Sequence, residues 1–338
     1  MDALSDVLRA VRLSGALFFR VEARAPWGLE LPDGATLAPS VSPRAQHVIS
    51  YHVVTDGECW GMVQGETPVR LEAGDVLVLP RGDAYAMSMT PARPDGLDRK
   101  TVLAFMRQMA AGHLPFTVSE GGAGADRLHL VCGFLGCDMR PFNPLLATLP
   151  RLLHVRRAVG SDEDPLGHLI RFTVAEARER RAGGECVRLR LSELIFVEVV
   201  RRHLAALPAE GTGWLAALRD PAVGLALARL HEQPARAWTL ASLAKDVGLS
   251  RSVLADRFTH LVGHPPIQYL THWRMQVAAR LLAESPTKVS AVAREVGYDS
   301  EAAFSRAFKK LAGVAPGAWR SRPADQGSPR APLRPRRV

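Results

Sequence analysis

The sequence has few cysteines, few aromatic residues and no long apolar run. Its 338 residues include four Cys, and 6% of them are aromatic. So few cysteines exclude a disulfide-stabilised scaffold and fit a reducing compartment. No stretch of about 18 apolar residues occurs, and charged residues interrupt the apolar N-terminal segment, so we expect neither a membrane span nor a signal peptide. These absences predict a cytoplasmic protein.

What the chain does have is a globular composition and an uneven distribution of charge. Of its residues 47% are hydrophobic and 23% are charged, and its length predicts two domains. The net charge of +9 is concentrated in the last third, because residues 221–338 contain 18 Lys and Arg against 8 Asp and Glu. A basic module of this kind indicates a polyanion partner; the alternative is a basic face that only keeps the protein soluble.

Short β segments dominate the N-terminal half. Residues 46–55, 67–71, 76–80 and 128–134 are rich in β-branched and apolar side chains and are bounded by Gly, Pro and Asp. This spacing predicts a small sandwich or barrel.

Helical periodicity takes over after about residue 144. Residues 166–182 and 191–207 predict two helices, and the first of them ends at Gly183 and Gly184. The second helix has a broad apolar face, which indicates two packing surfaces. One surface would contact a second copy of the chain; the alternative is a helix buried between domains.

The C-terminal third contains the same two-helix pattern twice. In each copy a short helix ends at a glycine, a serine caps a second helix, and another glycine ends it. These residues are Gly248, Ser250 and Gly263 in the first copy and Gly297, Ser300 and Gly313 in the second. Residues 267–283 predict a connecting helix. Repetition of a whole helix-turn-helix unit predicts two recognition helices, which can enter successive major grooves of DNA.

These motifs resemble the AraC/XylS family of bacterial transcription regulators. The resemblance lies in residues 250–263 and 296–316 and covers about residues 222–320. It implies that DNA is read by Arg251, Ser252, Ala255 and Asp256 in the first unit and by Glu301, Ala302 and Arg306 in the second. We add Ser300, Lys309 and Lys310 to the predicted DNA-binding set. The resemblance also implies double-stranded promoter DNA and RNA polymerase as partners.

Residues 74–85 resemble the second motif of cupin barrels. Gly74, Pro80 and Gly82 match that motif, but Tyr85 stands where cupins have a metal-binding histidine. The first cupin motif needs two close histidines and a carboxylate, and here only His52 is available, five residues after His47. We therefore expect no metal and no cofactor, and we interpret the barrel as a sensor for a small ligand or as a structural domain.

Two cysteines, Cys132 and Cys137, form a Cys-x4-Cys pair. They could form a redox-active disulfide if the chain bends at Gly133 or Gly136. The alternatives are two small buried hydrophobic side chains, or a metal site that includes His129 or His113. The predicted effector or redox set is Cys132, Cys137, Cys59, His52 and Tyr85.

Together these patterns predict an α+β protein of two domains: an N-terminal cupin-like β-barrel followed by an all-α domain with two helix-turn-helix units joined by a linker helix. We predict a sensor domain at 1–155, a helical connector and dimerisation region at 156–221, a DNA-binding domain at 222–320 and a basic disordered tail at 321–338. The predicted function is sequence-specific transcription regulation by a homodimer, without catalytic residues, controlled by a small ligand or by thiol oxidation. The alternatives are a metal-dependent cupin enzyme with a DNA-binding appendage and an architectural DNA-binding protein.

Overall fold

The computed structural model describes residues 2–43, 45–94, 98–157, 164–178, 181–208 and 210–321. Within these residues the N-terminal half is rich in strands and the C-terminal half is helical, which confirms the predicted α+β class. The basic tail beyond residue 321 lies outside the described residues. No helix in the described part of the chain is long and apolar enough to cross a membrane.

Ten strands form two sheets. In chain order the strands are β1 (Ser14–Arg24), β2 (Gly28–Leu31), β3 (His47–Asp56), β4 (Glu58–Val63), β5 (Val69–Glu72), β6 (Val76–Leu79), β7 (Tyr85–Ser88), β8 (Thr117–Gly121), β9 (Arg127–Cys137) and β10 (Leu153–Val155). The larger sheet has the order β10-β6-β3-β9-β1-β8, and the smaller sheet has the order β2-β7-β4-β5. The predicted segments 46–55, 67–71, 76–80 and 128–134 correspond to β3, β5, β6 and β9.

Four helices lie among the strands of the N-terminal half, and the described residues after β10 form helices. The N-terminal helices are α1 (Ala3–Ala10), α2 (Gly34–Val41), α3 (Arg99–Ala110) and α4 (Pro144–Thr148). The middle of the chain forms α5 (Pro165–Arg178), α6 (Gly184–Ala206), α7 (Trp214–Arg219) and α8 (Pro221–Glu232). The C-terminal helices are α9 (Leu240–Asp246), α10 (Arg251–Val262), α11 (Pro266–Glu284), α12 (Val289–Glu295), α13 (Glu301–Ala312) and α14 (Pro316–Arg320).

The larger sheet separates two hydrophobic cores. Both faces of its strands β3 and β6 are buried, and β6 is accordingly a continuous apolar run. Side chains such as Phe19, Leu130 and Phe134 point between the two sheets and form the barrel core. Their neighbours in the strands, such as Phe18 and Val131, point to the opposite face and pack with the helices.

The core on the helical side, which we call the shared core, continues from the barrel into the first helix-turn-helix unit. It joins residues of α1 and α6 with residues of α7 to α10 and with the N-terminal half of α11, including Tyr269 and Trp273. The second unit has a core of its own, made by the C-terminal half of α11 with α12, α13 and α14. The sensor domain and the first unit are therefore packed as one body, and α11 connects that body to the second unit.

Candidate nucleic-acid interface and barrel cavity

The two helix-turn-helix units have the same local geometry. In both units a helix of 7 residues is followed by a helix of 12 residues, as α9 with α10 and as α12 with α13. The turn glycines, Gly248 and Gly297, have φ angles of +71° and +85°, which L side chains rarely adopt. A Cβ at Gly297 would also lie 2.7 Å from the carbonyl oxygen of Ala235. These turns set how each recognition helix leaves the preceding helix.

Each recognition helix begins and ends at the predicted residues. The side chain of Ser250 accepts a hydrogen bond from the backbone N–H of Val253, and Ser300 accepts one from Ala303, both at 3.3 Å. Left-handed glycines at positions 263 and 313 end the two helices. A side-chain hydrogen bond therefore caps the N-terminal turn of each of these two helices. In DNA complexes of helix-turn-helix proteins, this end of the helix enters the major groove.

The predicted reading face of α10 is accessible but has few cations. Arg251, Ser252 and Asp256 are exposed, and Ala255 is half-buried. Arg257, at the edge of the same helix, forms a salt bridge of 2.6 Å with Asp220, the N-cap of α8. That arginine is held against the protein and does not extend the reading face.

The structure adds one residue to the α10 face that the sequence interpretation missed. Val253 is 48% exposed in the first turn of α10, beside Ser252. An apolar residue within helical periodicity is normally assigned to the core, so its position alone gave no signal. An exposed valine in the first turn of a recognition helix is suited to contact a thymine methyl group.

The predicted face of α13 is exposed and more cationic. Ser300, Glu301, Ala302, Arg306, Lys309 and Lys310 are all exposed. Ala302, Arg306 and Lys309 follow each other at spacings of four and three residues, so they share one helix face. Glu301 is the acidic exception on this helix. The exposed cationic side chains are therefore concentrated on the second unit.

One buried side chain connects the helix between the two units to the sensor domain. Gln276 of α11 donates from Nε2 to the carbonyl oxygen of Ala10 at 2.8 Å and accepts at Oε1 from the N–H of Phe142 at 3.0 Å. Ala10 is the last residue of α1, so its carbonyl has no helical partner of its own. The Phe142 ring packs edge-on against Tyr269, with 5.4 Å between centroids.

A buried aromatic cluster extends this contact. Trp214 donates to the Tyr269 hydroxyl at 2.8 Å, so the hydroxyl proton is available to Nε2 of His231, which lies 2.7 Å away. The His231 ring stacks on Trp273 with centroids 3.8 Å apart, and its Nδ1 faces the Asp6 carboxylate of α1 at 3.9 Å. Burial lowers the pKa of His231 to about 3, so the ring is neutral.

Inside the barrel, His52 and Tyr85, the two residues compared with cupin metal ligands, are hydrogen-bonded to each other. Nε2 of His52 lies 2.5 Å from the Tyr85 hydroxyl, and its Nδ1 lies 3.1 Å from Sγ of Cys132. Burial lowers the pKa of His52 to about 3 and raises the pKa of Tyr85. The described residues contain no group of three or more His, Cys, Asp or Glu side chains placed to hold a metal ion.

Of the alternatives for Cys132 and Cys137, the structure agrees with two small buried side chains and does not place the pair within disulfide distance. Both cysteines lie in the continuous strand β9, where five residues span about 16 Å, far beyond the Cα separation of about 7 Å that a disulfide tolerates. The odd spacing also turns them to opposite faces, so that Cys132 lies in the barrel core and Cys137 in the shared core. The strand does not turn at Gly133, because this residue is paired with Phe18 of β1 and with Tyr51 of β3.

The thiols themselves are poorly suited to oxidation. Cys59, Cys132 and Cys137 are buried, and Cys186 is exposed. Burial raises the pKa of Cys59 to about 12 and also raises the pKa of Cys132 and Cys137. Because the thiolate is the reactive form, these three cysteines behave as small buried hydrophobic side chains.

Comparisons with known proteins agree with this geometry. Residues 2–205 match the family model described as Cupin, and residues 243–322 match the model described as Helix-turn-helix domain. An AraC-like transcription regulator of Streptomyces lividans is 32% identical over 96% of this chain and 99% of its own length. The HTH-type transcriptional regulator AlkR of Acinetobacter baylyi is 29% identical over 92% of this chain and 96% of its own length.

Among solved structures, the DNA-binding domain of AdpA in complex with a target DNA is 31% identical, with a TM-score of 0.28. The match covers 30% of this chain and 90% of the AdpA domain. The fold and the two exposed recognition helices define a regulator with a cupin-type N-terminal domain and a helix-turn-helix DNA-binding domain. The chain belongs to the AraC family of transcription regulators. Its relatives are regulators, so the chain is not an enzyme.

Proposed function

We propose that this protein binds particular promoter sequences through α10 and α13 and that a small molecule in the barrel controls that binding or the activation of transcription. The observation that carries the proposal is the pair of matching, exposed faces on two recognition helices, with free cationic groups concentrated on α13. We retain, as part of the proposal, the division into a sensor at 1–155, a connector at 156–221 and a DNA-binding domain at 222–320. Activation would proceed through contact with RNA polymerase.

The two units would contribute differently to recognition. On α13, Arg306 reaches base edges, and Lys309 and Lys310 attract phosphates. On α10, Val253 and Ala255 present methyl groups, so the first unit depends on thymine contacts and on DNA shape. The exposed carboxylate of Asp256 disfavours close phosphate contact, and it can accept a hydrogen bond from a cytosine amino group.

Replacement of Arg306 tests this assignment. Arg306→Ala is expected to weaken binding to a selected operator about tenfold, because a bidentate contact to a base is lost, while binding to a random duplex changes much less. Lys309→Ala is the matched control, since loss of a phosphate contact weakens both duplexes to a similar extent. The measurement is a titration of each duplex by fluorescence anisotropy at one salt concentration. Similar losses for Arg306→Ala on both duplexes would contradict base reading by this residue.

Control by a ligand rests on the continuity between the barrel and the first unit. A ligand shifts a conformational equilibrium only through different affinities for the two states. The larger sheet has the barrel interior on one face and the shared core on the other, so a change in the barrel reaches α11 through packed side chains. Because the three buried thiols are poorly reactive, a ligand is better supported than thiol oxidation.

We also propose that the protein acts as a homodimer through the outer face of α5 and α6. Phe172, Val187 and Leu194 are large apolar side chains exposed on these helices, by 53%, 37% and 51%. Leu194→Glu is expected to convert a dimer of 36.7 kDa chains into monomers, because a charge would be buried in the interface. Sedimentation equilibrium measures this, with Glu185→Lys, on the other side of α6, as the control. A monomeric wild-type protein at micromolar concentration would contradict the dimer.

A further inference from the structure

A cavity of about 110 Å³ lies between the two sheets beneath α3. The larger sheet contributes Phe19, Leu130 and Phe134 to its wall, and the smaller sheet contributes Met87. Val102 and Met106 of α3 cover it from one side, and both side chains are almost completely buried. The position of this cavity makes the interior of the barrel the place where a ligand would bind under the proposed function.

The polar groups at this cavity are already paired with one another. Both ring nitrogens of His52 have partners, in Tyr85 and Cys132. Trp27 donates from Nε1 to the Glu120 carboxylate at 2.8 Å. The described wall therefore presents no unpaired cation to an anionic ligand, and its carboxylate repels one.

The remaining wall is apolar, which sets the chemical class of the occupant. An anion would lose its hydration there without gaining a cationic partner, and that cost is large. A cation would meet one carboxylate, Glu120, which is already hydrogen-bonded to Trp27. An engineered apolar cavity of about 150 Å³ in another protein binds benzene, so a cavity of about 110 Å³ suits a molecule of benzene size or smaller. The flexible side chains of Met87 and Met106 allow small adjustments of shape.

We infer that the effector of this protein is a small, uncharged, predominantly apolar molecule that binds in the barrel cavity beneath α3. This inference rests on the proposed function and names the ligand class for its regulatory site. The wall residues Phe19, Leu130 and Phe134 alternate in β1 and β9 with Phe18, Val131 and Leu135 of the shared core. One layer of sheet therefore separates the ligand from the core that holds the first helix-turn-helix unit.

The first experiment uses the full chain and fluorobenzene as the probe. Binding is expected to broaden the ¹⁹F resonance of fluorobenzene, and saturating benzene is expected to raise Tm by about 3 °C. Trifluoroacetate and 3-fluoropropylammonium, which are no larger than fluorobenzene but carry a charge, are expected to show no broadening. Absence of broadening with fluorobenzene, or equal broadening with either charged probe, overturns the inference.

Two variants test whether the probe binds in this cavity. Val102→Phe fills the space beneath α3 and is expected to abolish the broadening. Leu103→Phe is the matched control, because Leu103 belongs to the same helix but does not line the cavity, and broadening is expected to persist. Broadening that survives in folded Val102→Phe overturns the location. If that variant does not fold, displacement of fluorobenzene from wild-type protein by benzene and not by butyrate, an anion with as many heavy atoms as benzene, carries the test.

The DNA affinity of the wild-type protein is then measured with and without benzene. A changed affinity supports both the ligand class and the proposed control. Benzene that binds in the cavity but leaves both DNA affinity and transcription in vitro unchanged supports the ligand class and contradicts control through this cavity. The two failures are thus distinguished by separate measurements.

Discussion

Gln276→Leu is expected to lower the free energy of unfolding by about 2–4 kcal/mol and to loosen the contact between α11 and the sensor domain. Leucine has nearly the same volume as glutamine but pairs with neither the Ala10 carbonyl nor the Phe142 N–H. Each backbone group would then stay buried without a partner, at about 1–3 kcal/mol apiece. Urea unfolding measures the loss of stability, and hydrogen exchange of the amides in α1 measures the loosening.

The matched control is Gln268→Leu, an exposed glutamine on the same helix. Its effect is expected to stay within about 0.5 kcal/mol, as for ordinary surface substitutions. If Gln276→Leu is as stable as this control and α1 exchanges at the wild-type rate, Gln276 does not hold the two domains together.

Mild acid is expected to destabilise the protein through two buried histidines. Burial lowers the pKa of His52 and of His231 to about 3, against 6.5 in an unfolded chain. Below about pH 6.5 these two histidines are protonated in the unfolded state but stay neutral in the folded state. The free energy of unfolding therefore decreases as the pH falls from about 6.5 towards 3. Each histidine contributes a loss of about 1–2 kcal/mol between pH 7.5 and 5.5, and the two together about 3 kcal/mol.

Replacing each of the two histidines in turn measures its share of the stability lost on acidification. His231→Gln and His52→Gln are each expected to reduce the loss of stability between the two pH values by about 1–2 kcal/mol, whatever their effect at pH 7.5. His113→Gln is the control, because His113 is exposed, and its pH dependence is expected to match that of the wild type. A wild-type stability that is equal at pH 7.5 and 5.5 would show that neither ring is held neutral.

The helix-turn-helix units could be predicted from the sequence because their signals are local. These signals are turn glycines, capping serines and apolar spacing, and each of them acts within one or two helical turns. The same signals recur about fifty residues later, which strengthened the prediction of both units. The strands β3, β6 and β9 were predicted for the same reason, from short apolar runs between turn residues. Local agreement of this kind is what makes a sequence specify an element.

Other features depend on contacts between distant parts of the chain. The helices α1 and α3 belong to a region whose strand signals dominated, and α1 buries its apolar face against α4, α8 and α11. Pairing with β1 and β3 keeps β9 extended through Gly133, which the Cys-x4-Cys spacing alone could not show. In α10, Arg257 is held by Asp220, 37 residues away, and Val253 is left 48% exposed.

Sequence-specific DNA binding is the central claim, and selection from genomic DNA tests it most directly. Sheared genomic DNA is incubated with the purified full-length chain at one salt concentration, and the bound fragments are sequenced. The account predicts strong enrichment of a few promoter fragments that share a motif, and loss of that enrichment with Arg306→Ala. Uniform recovery of all fragments by the wild-type protein would contradict it, because binding would then depend only on the charge of the C-terminal third.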